Sequence, residues 1–370
     1  MQKSVLGYGS IFHKEDITRL PEISDTSFLG NHTLFYAGRY AIKYIIDCIL
    51  KERDIATLWM PNYYCPYVKN WLEEKRSSIK YYDIDPFDAN AQINWKQFDA
   101  SDVVLTNNYW GIKANPIPSG TRPLIIEDHS HGWLSEGCVQ SKADFCIASL
   151  RKTLPIPLSG IAWKPKNGNC TIPLLPINGA AVDHNTDPMT RSWNLMDDAM
   201  TKKANCSDPK EKSEFLSSYS QGEMLLRNTQ EIFEVQNIHK ELIRKALFKD
   251  YNSFKKQNLE YIHQNLAPST AYKLLYLEHP VPFGLLLVFK DKETMASCKH
   301  YLIDNAIYPA ELWPKNTIAQ KYKHLLNLHV DFRYTTDDMR YLVAVINRWS
   351  SENHDTDMQK TSEISEKLAP

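Results

Sequence analysis

The chain has 370 residues, 43% of them hydrophobic and 24% charged, which is typical of a soluble globular protein. Its formal net charge of -1 provides no field that would attract nucleic acid or an anionic membrane surface, so we expect small-molecule partners. Because a single hydrophobic core rarely grows beyond about 250 to 300 residues, we predict two domains.

Targeting signals and disulfide patterns are missing from the sequence. It has no apolar run of about 18 residues, and its N-terminal segment lacks the apolar core of a secretory signal, so we predict no membrane span and a cytoplasmic location. The seven cysteines form no C-x-x-C pair. They therefore predict neither a disulfide framework nor a zinc ribbon.

Short apolar segments alternate with helix- or loop-sized gaps in the first part of the chain. A helical pattern at 35–51 comes first, and strand patterns follow at 55–68, 79–85, 101–111, 122–131 and 142–150. This alternation predicts an open α/β sheet of mostly parallel strands, covered by helices on both faces. Ligands of such sheets bind beyond the carboxyl ends of the strands.

The rest of the chain contains an irregular segment, a helical segment, a second strand-bearing unit and a polar tail. Residues 165–212 contain turn-forming residues and predict an irregular excursion over the surface or across a partner subunit. Helical spacing follows to about residue 265. We predict a large domain over 1–250, a small α+β domain over 251–350, and a disordered, polar tail over 351–370.

The stretch "LIIEDHSHGWLS" holds the densest cluster of titratable groups in the chain. Burying acids and histidines at a strand end costs folding free energy, so such a cluster is more often found at a functional site. On an extended segment Glu127, His129 and His131 would share one face, as metal ligands could. No other cluster supplies obvious further ligands, so a metal is not favoured. A hydrogen-bonded strand end without chemistry is the other interpretation.

The next predicted strand ends at Ser149, and Lys152 follows three residues later among apolar neighbours. A lysine in such surroundings can have a lowered pKa, which makes it a nucleophile toward a carbonyl group. Alone this signal is weak, because most lysines at strand ends are solvated.

Taken together, these residues resemble the fold-type I pyridoxal phosphate (PLP) enzymes, and more closely the DegT/DnrJ/StrS-type sugar aminotransferases. "EDHSH" is similar to the family's E-D-x-[AS]-[HQ] pattern, "NNYWG" to its H-x-Y-G, and "LFYAGRYAIKYII" to its phosphate-binding segment. The similarity extends in order over residues 34–346. It implies a large domain with a mostly parallel mixed sheet flanked by helices, plus a small C-terminal α+β domain.

The resemblance also implies roles for individual residues around PLP. Asp128 would bond the pyridine nitrogen and keep it protonated, and His131 would reach the phenolic oxygen. Lys152 would bond the cofactor covalently and later move a proton between the substrate carbon and the cofactor.

The cofactor's phosphate would bind at the start of the first helix. Gly38, Arg39 and Tyr40 open that helix, whose free N–H groups and dipole suit an anion, and Ser149 would add a hydroxyl. Arg39 stands where the family usually has threonine, so its contact with the phosphate stays open.

An aromatic side chain of "NYYC" would stack on the cofactor ring. We predict Tyr64, with Tyr63 and Cys65 as open alternatives. Two departures from the family pattern stand nearby: Asn108 replaces the histidine of H-x-Y-G, and Lys152 lies three residues beyond its serine instead of five.

The activity that the resemblance implies is amino transfer from an amino acid, glutamate being the expected donor, to a nucleotide-linked keto-sugar. The product would serve surface polysaccharide or glycan biosynthesis. A homodimer is implied, with residues of 165–212 or 226–231 able to reach the neighbouring site. The alternative is a protein of the same fold that acts on a non-sugar substrate, or that binds or regulates without catalysis.

Overall fold

A computed structural model gives the architecture of the chain. It describes residues 7–9, 11–76, 78–112, 115–177, 187–275 and 281–367, with only the backbone for residue 209 and for 353–367. No helix within these ranges combines the length and apolar character that a membrane span needs.

The described residues form strands and helices in alternation. The strands are β1 (Tyr8–Gly9), β2 (His32–Phe35), β3 (Leu58–Pro61), β4 (Ile79–Tyr82), β5 (Val103–Asn107), β6 (Leu124–Asp128), β7 (Phe145–Ala148), β8 (Gly160–Trp163), β9 (Tyr272–Leu274), β10 (Leu285–Phe289), β11 (Ile307–Tyr308), β12 (Ala310–Leu312) and β13 (His324–Leu328). The helices are α1 (Gly38–Glu52), α2 (Pro66–Glu73), α3 (Glu136–Val139), α4 (Pro188–Asn205), α5 (Lys212–Asn228), α6 (Asn237–Leu247), α7 (Asn252–Asn265), α8 (Lys292–Asp304) and α9 (Thr336–Lys367).

A mixed seven-stranded sheet forms the centre of the large domain, in the order β2-β8-β7-β6-β5-β3-β4. The strands from β7 to β4 are mutually parallel, whereas β8 runs antiparallel to both its neighbours. β5, β7 and β8 are buried along their whole length, as strands covered on both faces must be. This mostly parallel sheet with flanking helices confirms the predicted fold class.

Helix α1 directly follows β2 and packs against β7 and β8. It buries an apolar stripe that includes Ile42, Ile45 and Ile49, which recur at the helical period. Since α1 begins at Gly38, at the end of the strand before it, its N-terminus lies at the edge of the sheet where ligands of α/β folds bind.

The predicted excursion is wrong in its second part, because helix α4 occupies residues 188–205 and packs along α5. Asp187 caps this helix by accepting a hydrogen bond from the Met189 N–H, and Pro188 starts it. Its buried positions are separated by polar residues and follow a run of turn-forming residues, which obscured the pattern. Residues 178–186 of the excursion lie outside the described residues.

The small domain contains an antiparallel sheet in the order β12-β13-β10-β9, with α7, α8 and α9 around it. It has its own hydrophobic core, and the N-terminal strand β1 joins it by pairing with β11. These separate cores support a proposed division near residue 250, with β1 on the side of the small domain. Helix α9 continues to Lys367, into the segment where the sequence predicts a disordered tail; no proline or glycine interrupts it.

A third apolar cluster joins the two sheets. Tyr63 and Trp110 from the large domain pack in one cluster with Leu286, Val288 and Leu325 of the small domain. This contact holds the small domain over the carboxyl ends of the parallel strands, and it brings Trp313 to the site described next.

Candidate active site

A cleft of about 700 Å³, including the part open to solvent, lies at the carboxyl ends of β6 and β7. The N-termini of α1 and α2, one side of α5, and Trp313 complete its walls. Six of the sequence-predicted residues line it: Gly38, Arg39, Tyr64, Asp128, Ser149 and Lys152. The structure therefore gathers these six residues from four separate chain segments at one place.

Asp128 is the last residue of β6 and lines the cleft. Its Oδ1 accepts a 2.7 Å hydrogen bond from the Ser130 N–H, and its Oδ2 accepts one from the Tyr64 hydroxyl. Burial and the neighbouring carboxylate raise the pKa of Tyr64 well above its usual value. Tyr64 therefore stays a donor, and it fixes the orientation of the carboxylate.

Lys152 follows β7 in a short turn, and its Nζ lies 3.3 Å from His131 Nε2. The His131 ring is buried and stacks on Trp110 at 4.9 Å, with Phe283 and Trp313 also in contact. Burial, assisted by the charge of Lys152, lowers the pKa of His131 well below its usual value. A neutral imidazole can accept a hydrogen bond from the amine, which holds Lys152 in place.

The N-terminus of α1 forms the anion-binding end of the cleft. Ala37 at the N-cap makes no side-chain hydrogen bond, so the first N–H groups of α1 lack a capping acceptor. A Cβ on Gly38 would lie 3.1 Å from the Cβ of Ser149, which shows how closely the start of α1 approaches the residue that follows β7. Free N–H groups beside the Ser149 side chain suit a phosphate.

The other predicted residues of α1 have different contacts. The Arg39 guanidinium donates to the carbonyl oxygens of Leu226 and Thr229, and the Tyr40 hydroxyl donates to the same Thr229 carbonyl at 3.1 Å. Both side chains hold the C-terminal end of α5, so Arg39 can serve a phosphate through its backbone N–H. Tyr40 is fully buried in the core.

The two alternatives to Tyr64 lie on either side of it. Cys65 lines the cleft as the N-cap of α2, whereas Tyr63 packs on Trp313 at 4.8 Å and donates to the Leu312 carbonyl at 3.4 Å. Tyr63 therefore belongs to the contact between the domains, and Tyr64 is the aromatic residue of this turn that faces the cleft.

Sequence reasoning missed several residues on the rim of the cleft. Arg151 and Arg227 both form ion pairs with Glu223, and the Arg227 guanidinium lies 4.3 Å above the ring of Tyr67. Two cations and one anion leave the rim positively charged. The only sequence signal was the helical spacing of Glu223 and Arg227, which is common on exposed helices. Arg227 lines the cleft of its own chain, although the sequence left a role in a neighbouring site open.

The expected shared face of Glu127, His129 and His131 is wrong. β6 ends at Asp128 and the chain turns at His131, so His131 joins Lys152 while the other two lie across the sheet. There Glu127 and His129 meet Cys146 of β7, and ligand atoms of all three lie within 4.8 Å of one another. A turn in the chain had broken the alternation on which the sequence argument depended.

Comparisons with known proteins identify the fold. No family model and no curated protein sequence matches the chain. Spr1654 of Streptococcus pneumoniae in its PLP form matches with a TM-score of 0.57 and 10% identity, over 93% of this chain and 99% of that one. The sugar aminotransferase CalS13 of Micromonospora echinospora matches with a TM-score of 0.51 and 13% identity, over 86% of this chain and 87% of that one. A DegT DnrJ EryC1 StrS aminotransferase of Brucella abortus matches with a TM-score of 0.52 and 11% identity, over 87% of this chain and 86% of that one.

These likenesses define the class of the fold. The chain has the α/β architecture of the fold-type I PLP transferases, over nearly the full length of each matching protein. The fold predicted from the resemblance is therefore confirmed.

Proposed function

We propose that the protein is a PLP-dependent aminotransferase that moves an amino group from an amino acid to a keto-sugar linked to a nucleotide. Glutamate is the proposed donor, the cytoplasm the proposed location, a homodimer the proposed assembly, and surface polysaccharide or glycan biosynthesis the proposed pathway. The observation that carries this proposal is the convergence of Lys152, Asp128 and the N-terminus of α1 on one cleft.

The residues of the cleft fit the three polar parts of PLP. Lys152 offers an amine to the aldehyde, Asp128 a carboxylate to the ring nitrogen, and α1 with Ser149 a set of donors to the phosphate. The uncapped N-terminus of α1, beside the Ser149 side chain, is the feature that a bound phosphate would explain. When bound, PLP supplies an electron sink that stabilises a carbanion at the substrate carbon.

Four residues of the cleft and its wall have separate roles in this reaction. The Asp128 carboxylate favours a protonated ring nitrogen, and the Tyr64 hydroxyl keeps that carboxylate oriented. Lys152 is first a nucleophile and then, as a free amine, the group that carries a proton to and from the substrate carbon. His131 Nε2 holds the Lys152 amine between these tasks. Donor and acceptor use the cleft in turn, so ping-pong kinetics are expected.

The rim residues suit anionic substrates. Guanidinium groups bind carboxylates and phosphates through paired hydrogen bonds, and Arg151 and Arg227 are both on the wall of the cleft. Glu223 orients them but neutralises only one positive charge. A donor carboxylate and the phosphates of a nucleotide-linked acceptor are the groups that this charge would attract.

The test uses the purified full-length protein. We expect a yellow protein whose absorption shifts when glutamate is added, and a cofactor linkage that borohydride makes permanent in the wild type but not in Lys152→Ala. Colour without a shift, across a panel of amino-acid donors, would favour a catalytically silent protein instead. A borohydride-stable linkage in Lys152→Ala would overturn the assignment of the lysine.

A further inference from the structure

The face of the sheet behind Asp128 carries a cluster that the proposed function does not use. Glu127 and His129 point there because side chains alternate along β6, and Cys146 of the neighbouring strand β7 joins them. All three side chains are buried, with at most 3% of each residue exposed. Carboxylate, imidazole and thiolate are the three ligand types of protein zinc sites.

Glu127 and His129 lie close enough together to bind one ion. His129 Nε2 forms an ion pair with Glu127 Oε2 at 3.2 Å, and it makes no well-aligned hydrogen bond within the described residues. Ligand atoms around a tetrahedral zinc ion are about 3.3 to 3.8 Å apart, given metal–ligand distances of about 2.0 to 2.3 Å. The Cys146 sulfur lies within 4.8 Å of a ligand atom of each of these residues, so a shift of about 1 Å at most would bring it to this spacing.

Polar side chains form an outer layer around the cluster. The Ser141 hydroxyl donates to Glu127 Oε2 at 2.7 Å and lies 3.2 Å from the Cys146 sulfur. Asn108 Nδ2 lies 3.1 Å from His129 Nδ1, while Asn108 Oδ1 is buried without a partner in the part of the chain that is described. If an ion binds His129 Nε2, the imidazole proton is on Nδ1. A half-turn of the Asn108 side-chain amide would then place its Oδ1 where it accepts a hydrogen bond from Nδ1.

Access also favours an ion. Glu127 lines a second cavity of about 1130 Å³, including its open part, together with Asn115 and Ser141. This cavity provides room for a water ligand. Among the described residues His129 is the one ion-pair partner of Glu127, and Asn115 and Ser141 donate hydrogen bonds to its two carboxylate oxygens. A bound ion would replace the direct contact with His129 and leave the other two hydrogen bonds in place.

We propose that Glu127, His129 and Cys146 bind one divalent ion of borderline softness, Zn²⁺ being the expected ion, with a water from the cavity as fourth ligand. The thiol loses its proton to solvent as the ion binds. The ion then ties β6 to β7 directly behind Asp128. This inference does not depend on the proposed transaminase function.

The experiment titrates the chelator-treated, full-length protein with Co²⁺, which reports tetrahedral thiolate coordination in its absorption spectrum. We expect one Co²⁺ per chain, a sulfur-to-cobalt charge-transfer band, and displacement by Zn²⁺. In Cys146→Ser the band disappears and the affinity falls by at least about 100-fold. Cys138→Ser, which changes another buried cysteine nearby, keeps both.

Two results would overturn the proposal. One is the absence of stoichiometric cobalt binding to the wild type at micromolar concentrations. The other is an unchanged charge-transfer band in Cys146→Ser, since the ion would then be bound elsewhere. If Cys146→Ser fails to fold, His129→Asn leaves the thiol intact, and retention of wild-type affinity in that variant is equally decisive against the site.

Discussion

Glu127 and Asp128 are adjacent carboxylates that serve opposite faces of one sheet. Asp128 accepts from Tyr64 in the cleft, whereas Glu127 accepts from Ser141 behind it. Because successive residues of a strand point in opposite directions, a substitution at one position leaves the surroundings of the other nearly unchanged. The two sites can therefore be tested separately by single substitutions.

Asp128→Asn is expected to lower kcat for amino transfer from glutamate by about 100-fold or more, because an amide cannot favour a protonated ring nitrogen. The amide oxygen can accept from the Ser130 N–H while the amide NH₂ group donates to the Tyr64 hydroxyl oxygen, so folding should be preserved. Steady-state kinetics and a thermal melt measure the two effects. A loss of less than tenfold in kcat would remove Asp128 from its assigned role.

Arg227→Ala is expected to raise KM for an anionic substrate about tenfold with little change in kcat, because a lost charge-assisted hydrogen bond weakens binding by about 1.5 kcal/mol. Arg340→Ala is the matched control, since Arg340 is an exposed arginine on α9. An equal effect of both variants on KM would show that overall charge, and not the rim of the cleft, is responsible.

The sequence was informative about residues that directly follow a strand. Asp128, Ser149 and Lys152 could be predicted because a buried apolar run leads straight into each segment. Glu223 and Trp313 could not, because their place in the cleft depends on how α5 and the small domain pack against the sheet. Local patterns carry no information about such distant contacts.

Among the elements, α5 depends on a side chain of α1. The Arg39 guanidinium donates to the carbonyl oxygens of Leu226 and Thr229, at the C-terminal end of α5. This contact connects the helix that begins the anion site to the helix that carries Glu223 and Arg227. The two walls of the cleft are thereby connected by direct hydrogen bonds.

Arg39→Met is expected to lower the free energy of unfolding by about 1 to 3 kcal/mol, because it removes the buried hydrogen bonds from a charged donor to the Leu226 and Thr229 carbonyl oxygens. The loss should be concentrated at the end of α5, so amide hydrogen exchange should accelerate over residues 222–229. Lys43→Met is the control, since Lys43 is on the same helix and forms its ion pair, among the described residues, with Asp47. Unchanged exchange in α5 would show that Arg39 does not support this helix.

Elements differed in how well their sequence indicated them. Helix α1 has an uninterrupted apolar stripe, and its prediction needed no tertiary information. Helix α4 alternates buried methionines with charged residues, and much of its stability comes from packing along α5. A pattern of moderate amphipathicity becomes a helix here because a partner helix lies beside it.

At the scale of the whole molecule, both domains bind the N-terminal segment. The Gly9 N–H donates to the Tyr334 hydroxyl at 2.6 Å, and Lys203 of α4 donates to the Ile11 carbonyl at 2.7 Å. Arg333 donates to the same Ile11 carbonyl at 3.2 Å. The segment therefore crosses from one domain to the other and holds a cluster of buried charges beneath it.

Lys203 makes stability depend on pH. Burial and then the charge of Arg333 lower its pKa to about 7, with Lys212 adding to this effect and Asp331 opposing it. The unfolded chain binds more protons at this lysine from about pH 7 to its ordinary pKa of about 10.5. The contribution of Lys203 to the free energy of unfolding therefore rises with pH over that window, by about 2 kcal/mol in its first two pH units.

The measurement is urea unfolding of Lys203→Met beside the wild type at pH values between 7 and 9. We expect a smaller slope of the free energy of unfolding against pH in the variant. Subtracting the slope of the variant from that of the wild type removes the titration of buried cysteines and tyrosines, which is common to both proteins. Lys202→Met, at an exposed neighbouring position, should keep the wild-type slope. Equal slopes in Lys203→Met and the wild type would contradict the assignment.

The pairing of β1 with β11 has a consequence for how the chain is made. Tyr8 leaves the ribosome about 300 residues before its partner Ile307. At synthesis rates of about 5 to 20 residues per second, the N-terminal strand waits for about 15 to 60 s without its partner. The large domain can fold during this interval, so docking of the first strand is expected to be a late step that follows translation of the small domain.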